Sequence, residues 1–532
     1  MKLTSAVAFT LYVLTAQSQI VLENDPAVAA FYAQKISVEH LEKYVYQLAS
    51  KEFQGRETGT KGQKKAADFI SDHFNKIGLK GIGEHGTHYQ TIPFIWDHWN
   101  NISVQINEER YVHLRHFLSL PDMNNNLPEL ERNEVVFLGY GIDDENYSDY
   151  GEADLKGKVI MIYSGEPIND DSISYITGTN ALSIWNENQE LKLQAAARHQ
   201  VAVVLFIDPD ITRSIRDNRR RVLQRQYRVE EITRDNYPNS VSISPAMTRT
   251  IIGENWDAFI DVRTRIRETG SAKPLRLPCE FTLNHHLVRE PIYSENIIGV
   301  LEGSDSTLKD EVVVLSAHYD HLGMRGNSIY FGADDNATGT SAVMAIMEAL
   351  SKAKSEGYGP RRSVVAILFT GEEKGLLGSE YYSNNPVFPL ENTVANINVD
   401  MIGRYDESHA PNPHYIYVIG SDRLSTDLHL INETVNNEFI HLQFDYTYNE
   451  KDDPNRFYYR SDHYNFAKNG IPSVFYFSGT HEDYHQPSDT PDKIIFDKLV
   501  IVSQLIFHTT YEIANRDERI RVNVVDDTNY SR

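Results

Sequence analysis

Five short apolar runs constrain this chain more than any other feature. They are Val312–Ser316, Val364–Phe369, Val394–Val399, Tyr415–Ile419 and Ser473–Phe477. Largely apolar runs of strand length fit central strands that are covered on both faces. Ala342–Leu350, an apolar helix pattern, falls between the first two. The alternation of strand, loop and helix predicts an α/β domain with a mostly parallel central sheet flanked by helices.

In such open sheets the functional crevice lies outside the carboxyl ends of the strands. The residues that follow each run are therefore the ones to read. Ala317-His318-Tyr319-Asp320-His321 follows the first run, and Thr370-Gly371-Glu372-Glu373 the second. Asp400 follows the third, and a loop with His481, Asp483, Tyr484 and His485 follows the last. Gly332-Ala333-Asp334-Asp335-Asn336 precedes the Ala342 helix. Taken singly, a Glu pair reads as a solvated turn, a lone His as a packed residue and Asp-Asp as a helix cap. Together they bring several carboxylates and imidazoles to one sheet edge. Unneutralised carboxylates in that density are costly to bury, which points to bound cations. His, Asp and Glu donors without thiolates suit zinc, with cobalt or manganese as substitutes.

These segments, with Asn398 to Arg404, Ser461-Asp462-His463 and Tyr484-His485, resemble the signature set of the di-zinc exopeptidases. That family includes secreted bacterial leucine aminopeptidases, glutamate carboxypeptidase II and the transferrin receptor ectodomain. The resemblance covers about residues 38–80 and 295 to the C-terminal helix. It implies the zinc exopeptidase fold and two zinc ions. By the same resemblance His318 and Asp400 hold one ion, Glu373 and His485 hold the other, and Asp335 bridges them. Asp320 is expected to orient the His318 ring. Asn336 is expected behind the ligands, following a cis Asp335–Asn336 peptide. Glu372 is the implied general base, and Tyr484 the implied helper of the oxyanion. His321, His463 and His481 match no ligand position and read as supporting or packing residues.

The implied activity is hydrolysis of the N-terminal peptide bond of peptides with a free N-terminus, through a water shared by both metals. A carboxypeptidase of the glutamate carboxypeptidase II type is the first alternative. It would draw on Arg404, Arg456 or Arg460 to hold a substrate carboxylate. A non-catalytic binding protein of the transferrin receptor kind is the second, and the full donor set argues against it. The segment Phe444–Tyr459, acidic and aromatic, is expected near the substrate pocket.

The chain has 532 residues and a net charge of −24, which disfavours nucleic acid as a partner. The Arg-rich stretch 213–228 reads as a solvated helical face. Lys2, the apolar run Ala6–Ala16 and Ala16-Gln17-Ser18 read as a signal peptide cleaved near Ser18. No later segment approaches the roughly 20 apolar residues of a membrane span, so no membrane anchor is expected. The single cysteine, Cys279, forbids an internal disulfide. Export to the medium or the periplasm of a bacterium follows. Residues 1–18 are thus the signal, 19–133 the first part of the peptidase domain, and 292–532 its second part. Residues 134–291, with short β-runs at 135–138, 158–163 and 201–207, are expected to form a β-rich insert that resembles the protease-associated domain.

Overall fold

The computed structural model describes residues 20–230, 237–271 and 273–525. The N-terminal segment read as a signal peptide lies outside these residues. The chain divides into two compact units, residues 1–92 with 293–532, and residues 93–292.

The first unit is the expected α/β sheet. Its strands β1 (Val312–His318), β2 (Ser363–Phe369), β3 (Thr393–Val399), β4 (Tyr415–Ile419) and β5 (Ser473–Phe477) coincide with the five apolar runs. Across the sheet the order is 443–445, β4, β5, β3, β1, β2 and 297–301. β1 pairs parallel to β2 and β3, and β3 parallel to β5. β4 runs antiparallel to β5, and residues 297–301 antiparallel to β2. Every residue of β1, β2, β3 and β5 is buried. Alternation of side chains therefore supplies two cores. Val313, Leu315 and Ala317 face helices α1 (Gly339–Ser355) and α2 (Phe496–Asn515), which contribute Ile346 and Leu505 to that side. Val312 and Val314 lie in the opposite core, with Tyr382 and Phe466. The register aligns the strand ends: His318 is opposite Phe369, and Ser316 opposite Asn398. The residues just after β1, β2 and β3 consequently emerge side by side.

The second unit corrects one sequence expectation. It begins at Pro93 rather than Glu134. Strand residues beyond 93 alternate between buried and half-buried positions, and Phe94–Trp96 pair with Tyr227–Val229. These polar, aromatic segments lack the continuous apolar signal of β1 to β5, so the boundary was not visible. The unit is rich in strand, as expected, and it also carries helices. The parallel strands Leu127–Phe137, Val159–Tyr163, Val203–Ile207 and Asn239–Ile243 are accompanied by helices Gln189–Arg198, Ile211–Leu223, Pro245–Ile252 and Trp256–Thr269. Ile211–Leu223 carries most of the Arg-rich stretch and buries only Ile211 and Ile215, as a solvated face should. Cys279 is a buried free thiol in this unit's core, and burial pushes its pKa up to about 11.

Candidate metal centre

β1 ends in His318, whose ring is fully buried. Its Nε2 lies 3.3 Å from Asp335 Oδ1 and 3.3 Å from Asp400 Oδ1. On the other side of the same carboxylate, His485 Nε2 lies 3.0 Å from Asp335 Oδ2 and 3.4 Å from Glu373 Oε1. Asp335 thus faces two donor groups with its two oxygens. Asp334, its neighbour, points elsewhere: its carboxylate meets His481 Nε2 at 3.3 Å and accepts from Gly403 N at 2.7 Å.

Glu372 stands further back, with Oε2 4.0 Å from His318 Nε2. That distance exceeds the closer pairs at 3.3 Å, and its carboxylate still clusters with His318 and Asp400. Burial pushes its carboxyl well above the usual range, and Glu373, Asp400 and Asp462 push the same way against His318. Burial also opposes charge on Asp335, but His321, His318 and His485 outweigh it and hold that carboxyl well below its ordinary value. His485 is driven the other way: burial disfavours its charge, yet Asp335 and Glu373 raise it to about 10.

Loops hold these groups through a connected set of hydrogen bonds. The Asp335–Asn336 peptide is cis. Asn336 Nδ2 donates to Val399 O at 2.9 Å, and its Oδ1 accepts from Gly339 N and Met401 N at 2.9 and 3.2 Å. The loop of Asp335 is thereby tied to the loop of Asp400. Ser461 Oγ donates to Asp400 Oδ2 at 2.8 Å. The Asp489 carboxylate accepts from the main-chain N–H groups of Asp334 and Asp335 at 3.1 and 3.2 Å.

Asp320 acts differently from the expectation. The hydrogen bond that fixes the His318 ring runs from Nδ1 to the main-chain oxygen of Asp320 at 3.1 Å, while the nearest carboxylate oxygen is 3.8 Å away. The carboxylate instead accepts from Thr58 Oγ1 at 2.7 Å and from Glu372 N at 3.3 Å. It therefore positions the backbone of Glu372. The remaining histidines separate clearly. His463 packs on Phe475 with ring centroids 4.9 Å apart, and burial lowers its pKa to about 3. His481 pairs with Asp334, as above. His321 is the exception to the reading as a bystander: its Nδ1 lies 2.8 Å from Glu373 Oε1 and 3.7 Å from Asp335 Oδ2.

Arg56 was missed in the sequence. It follows a glycine in what reads as a plain loop, and a fully buried arginine is rare. Its guanidinium donates to the main-chain oxygens of Tyr319 (2.8 Å), Leu48 (2.5 Å), Phe331 (2.9 Å) and Gly332 (2.9 Å). It thereby joins the loop after β1 to the one before Asp335. Gly55 beside it has φ +70°, and a Cβ there would lie 2.3 Å from Tyr330 O. Arg56→Met leaves those carbonyls without donors in the interior. We expect a loss of about 3 kcal/mol or more, seen as a lower midpoint in denaturant unfolding.

The donor chemistry fits zinc. Donors around a tetrahedral zinc at about 2.0–2.1 Å stand roughly 3.3 Å from one another. The pairs His318–Asp335, His318–Asp400 and His485–Glu373 stand 3.3, 3.3 and 3.4 Å apart. Glu373 Oε1 and both His321 nitrogens are buried without a well-directed hydrogen bond among the described residues, as atoms awaiting a cation would be.

The site is thus a mostly parallel sheet whose carboxyl edge gathers buried histidines and carboxylates around one central aspartate. Residues 296–510, the stretch that carries the site, match the model of peptidase family M28. Among curated proteins, "Probable glutamate carboxypeptidase LAMP1" of Arabidopsis thaliana is 30% identical over 166 residues, 31% of this chain and 21% of that protein. Aminopeptidase YwaD of Bacillus subtilis is 26% identical over 233 residues, 42% of this chain and 46% of its own length. The chain thus matches less than half of either relative. In fold it is similar to the aminopeptidase from Aneurinibacillus sp. strain AM-1, with a TM-score of 0.53 at 18% identity over 94% of this chain and 98% of that one.

Proposed function

We propose that the protein is a two-zinc aminopeptidase that removes N-terminal residues from peptides. The observation that carries this reading is the placing of Asp335 between two donor groups, with Glu372 set back beside one of them. His318 and Asp400 would hold one ion, His485 and Glu373 the other, and Asp335 both. When bound, the zinc pair supplies Lewis acidity toward the scissile carbonyl and acidifies water.

The chain's own groups do the rest. Glu372 accepts the proton of the attacking water and delivers it to the leaving amine. Its place in a buried, carboxylate-rich pocket lets it hold that proton between the two steps. Tyr484 stacks on His485 with ring centroids 3.9 Å apart. Burial, with Asp335, Glu373 and Glu372, pushes its hydroxyl far above the usual range, so it remains a donor for developing oxyanion charge. Met401, Phe457, Phe475 and Phe477 line the adjoining cleft and suit an apolar side chain. Of the cations a carboxypeptidase would draw on, Arg404 is paired with Asp483 at 3.2 Å, while Arg460 lines the cleft.

We read the second unit as the protease-associated-like insert and the chain as exported. Among the described residues no helix is long and apolar enough to cross a membrane. The test of the activity compares Leu p-nitroanilide with its N-acetyl form. Hydrolysis of the free-amine substrate should be lost on acetylation, because the blocked amine can no longer approach Asp400 and the metals. Equal cleavage of both would overturn the aminopeptidase reading in favour of a carboxypeptidase or endopeptidase.

A further inference from the structure

Arg460 lines the same cleft as His318, Asp335, Glu372 and Tyr484. Its Nη2 donates to the Tyr484 hydroxyl at 3.4 Å, and its guanidinium lies 4.7 Å from the centre of the Phe457 ring. Those two contacts set its direction without neutralising it. Among the described residues no carboxylate lies within ion-pair distance of it. The neighbouring cations differ, since Arg404 and Lys493 are both paired with Asp483, at 3.2 and 2.6 Å. A chain with net charge −24 offers a substrate carboxylate no general attraction, so any such preference must be local.

We propose that Arg460 is a specificity residue whose guanidinium takes a substrate carboxylate about one residue beyond the scissile bond. The inference rests on the aminopeptidase reading, which puts Tyr484 at the developing oxyanion. Arg460 touches the Tyr484 hydroxyl, and an extended chain advances only about 3.3–3.6 Å per residue, so a carboxylate on the first residue after the scissile bond stays within reach of the guanidinium. The carboxylate has two possible sources: the C-terminus of a dipeptide, or an acidic side chain after the cleaved bond. Arg is suited to either because its planar fork can donate to both carboxylate oxygens at once.

The experiment measures kcat/KM for Leu-Gly, Leu-Gly-amide, Leu-Glu-amide and Leu-Gln-amide with the zinc-loaded wild type, Arg460→Met and Arg460→Lys. Arg460 is exposed, so the variants should fold. The wild type should favour the carboxylate member of at least one pair, and which pair responds identifies the source. That ratio should fall about three- to tenfold in Arg460→Met, recover in part in Arg460→Lys, and shrink with added salt. A role exercised only through Tyr484 would slow both members alike and leave the ratio unchanged. Such a result, or wild-type ratios of one in both pairs, overturns the inference while the aminopeptidase reading stands. A wild type that cleaves none of the four overturns both.

Discussion

Glu372→Gln should retain near-normal zinc yet lose roughly 10²-fold or more in turnover, the scale of a general base. The amide keeps the shape of the side chain but cannot accept the proton. Zinc is retained because Glu372 stands 4.0 Å from His318 Nε2, outside the closer set at 3.3 Å. Glu373→Ala should behave differently. Its Oε1 lies within 3.4 Å of His485 and 2.8 Å of His321, so its removal should empty one metal position. Elemental analysis alongside steady-state kinetics separates the two variants. If both lose metal equally, the division of labour between these adjacent glutamates is wrong.

Removing zinc with a chelator should abolish activity and lower the melting temperature by about 5 °C or more, with both restored by zinc or cobalt. The effect should depend on pH in a definite direction. Without metal, His485 pairs with Asp335 and Glu373 and its pKa rises to about 10. A histidine raised in the folded state stabilises fully below its ordinary value near 6.5 and loses that contribution as pH climbs toward 10. The metal-free protein should therefore weaken as pH rises through this window. Zinc competes with those same protons and binds better as they leave. The gap in melting temperature between loaded and stripped protein should widen from pH 6.5 to pH 9, measured by calorimetry at matched ionic strength. A gap that narrows would contradict the pairing of His485 with these carboxylates.

How much of this was legible in the sequence follows from the physics of each segment. β1 to β5 announce themselves because strands covered on both faces need unbroken apolar runs. Their ends stood out because His318, Glu372, Glu373 and Asp400 interrupt such runs abruptly. The positions of Asp335 and His485 came through the family resemblance, since neither lies directly at a strand end. Arg56 was hidden because its value lies in four main-chain acceptors, which leave no trace in residue type. Asp320 carried a similar ambiguity: the sequence placed it near His318 but could not tell its carbonyl from its carboxylate. His321 could not be placed from spacing alone, because its ring reaches Glu373 only through the turn after β1. The second unit's start at Pro93 was missed because its first strands are polar and aromatic, with alternating burial.

The central claim is a pair of zinc ions shared through Asp335. Native mass spectrometry of gently purified protein, paired with zinc analysis and peptide hydrolysis on the same sample, tests it most directly. The account predicts two zinc ions per chain in the active wild type and loss of that pair in Asp335→Ala. A fully active enzyme that holds one zinc ion or none, or an Asp335→Ala variant that keeps both, would contradict it.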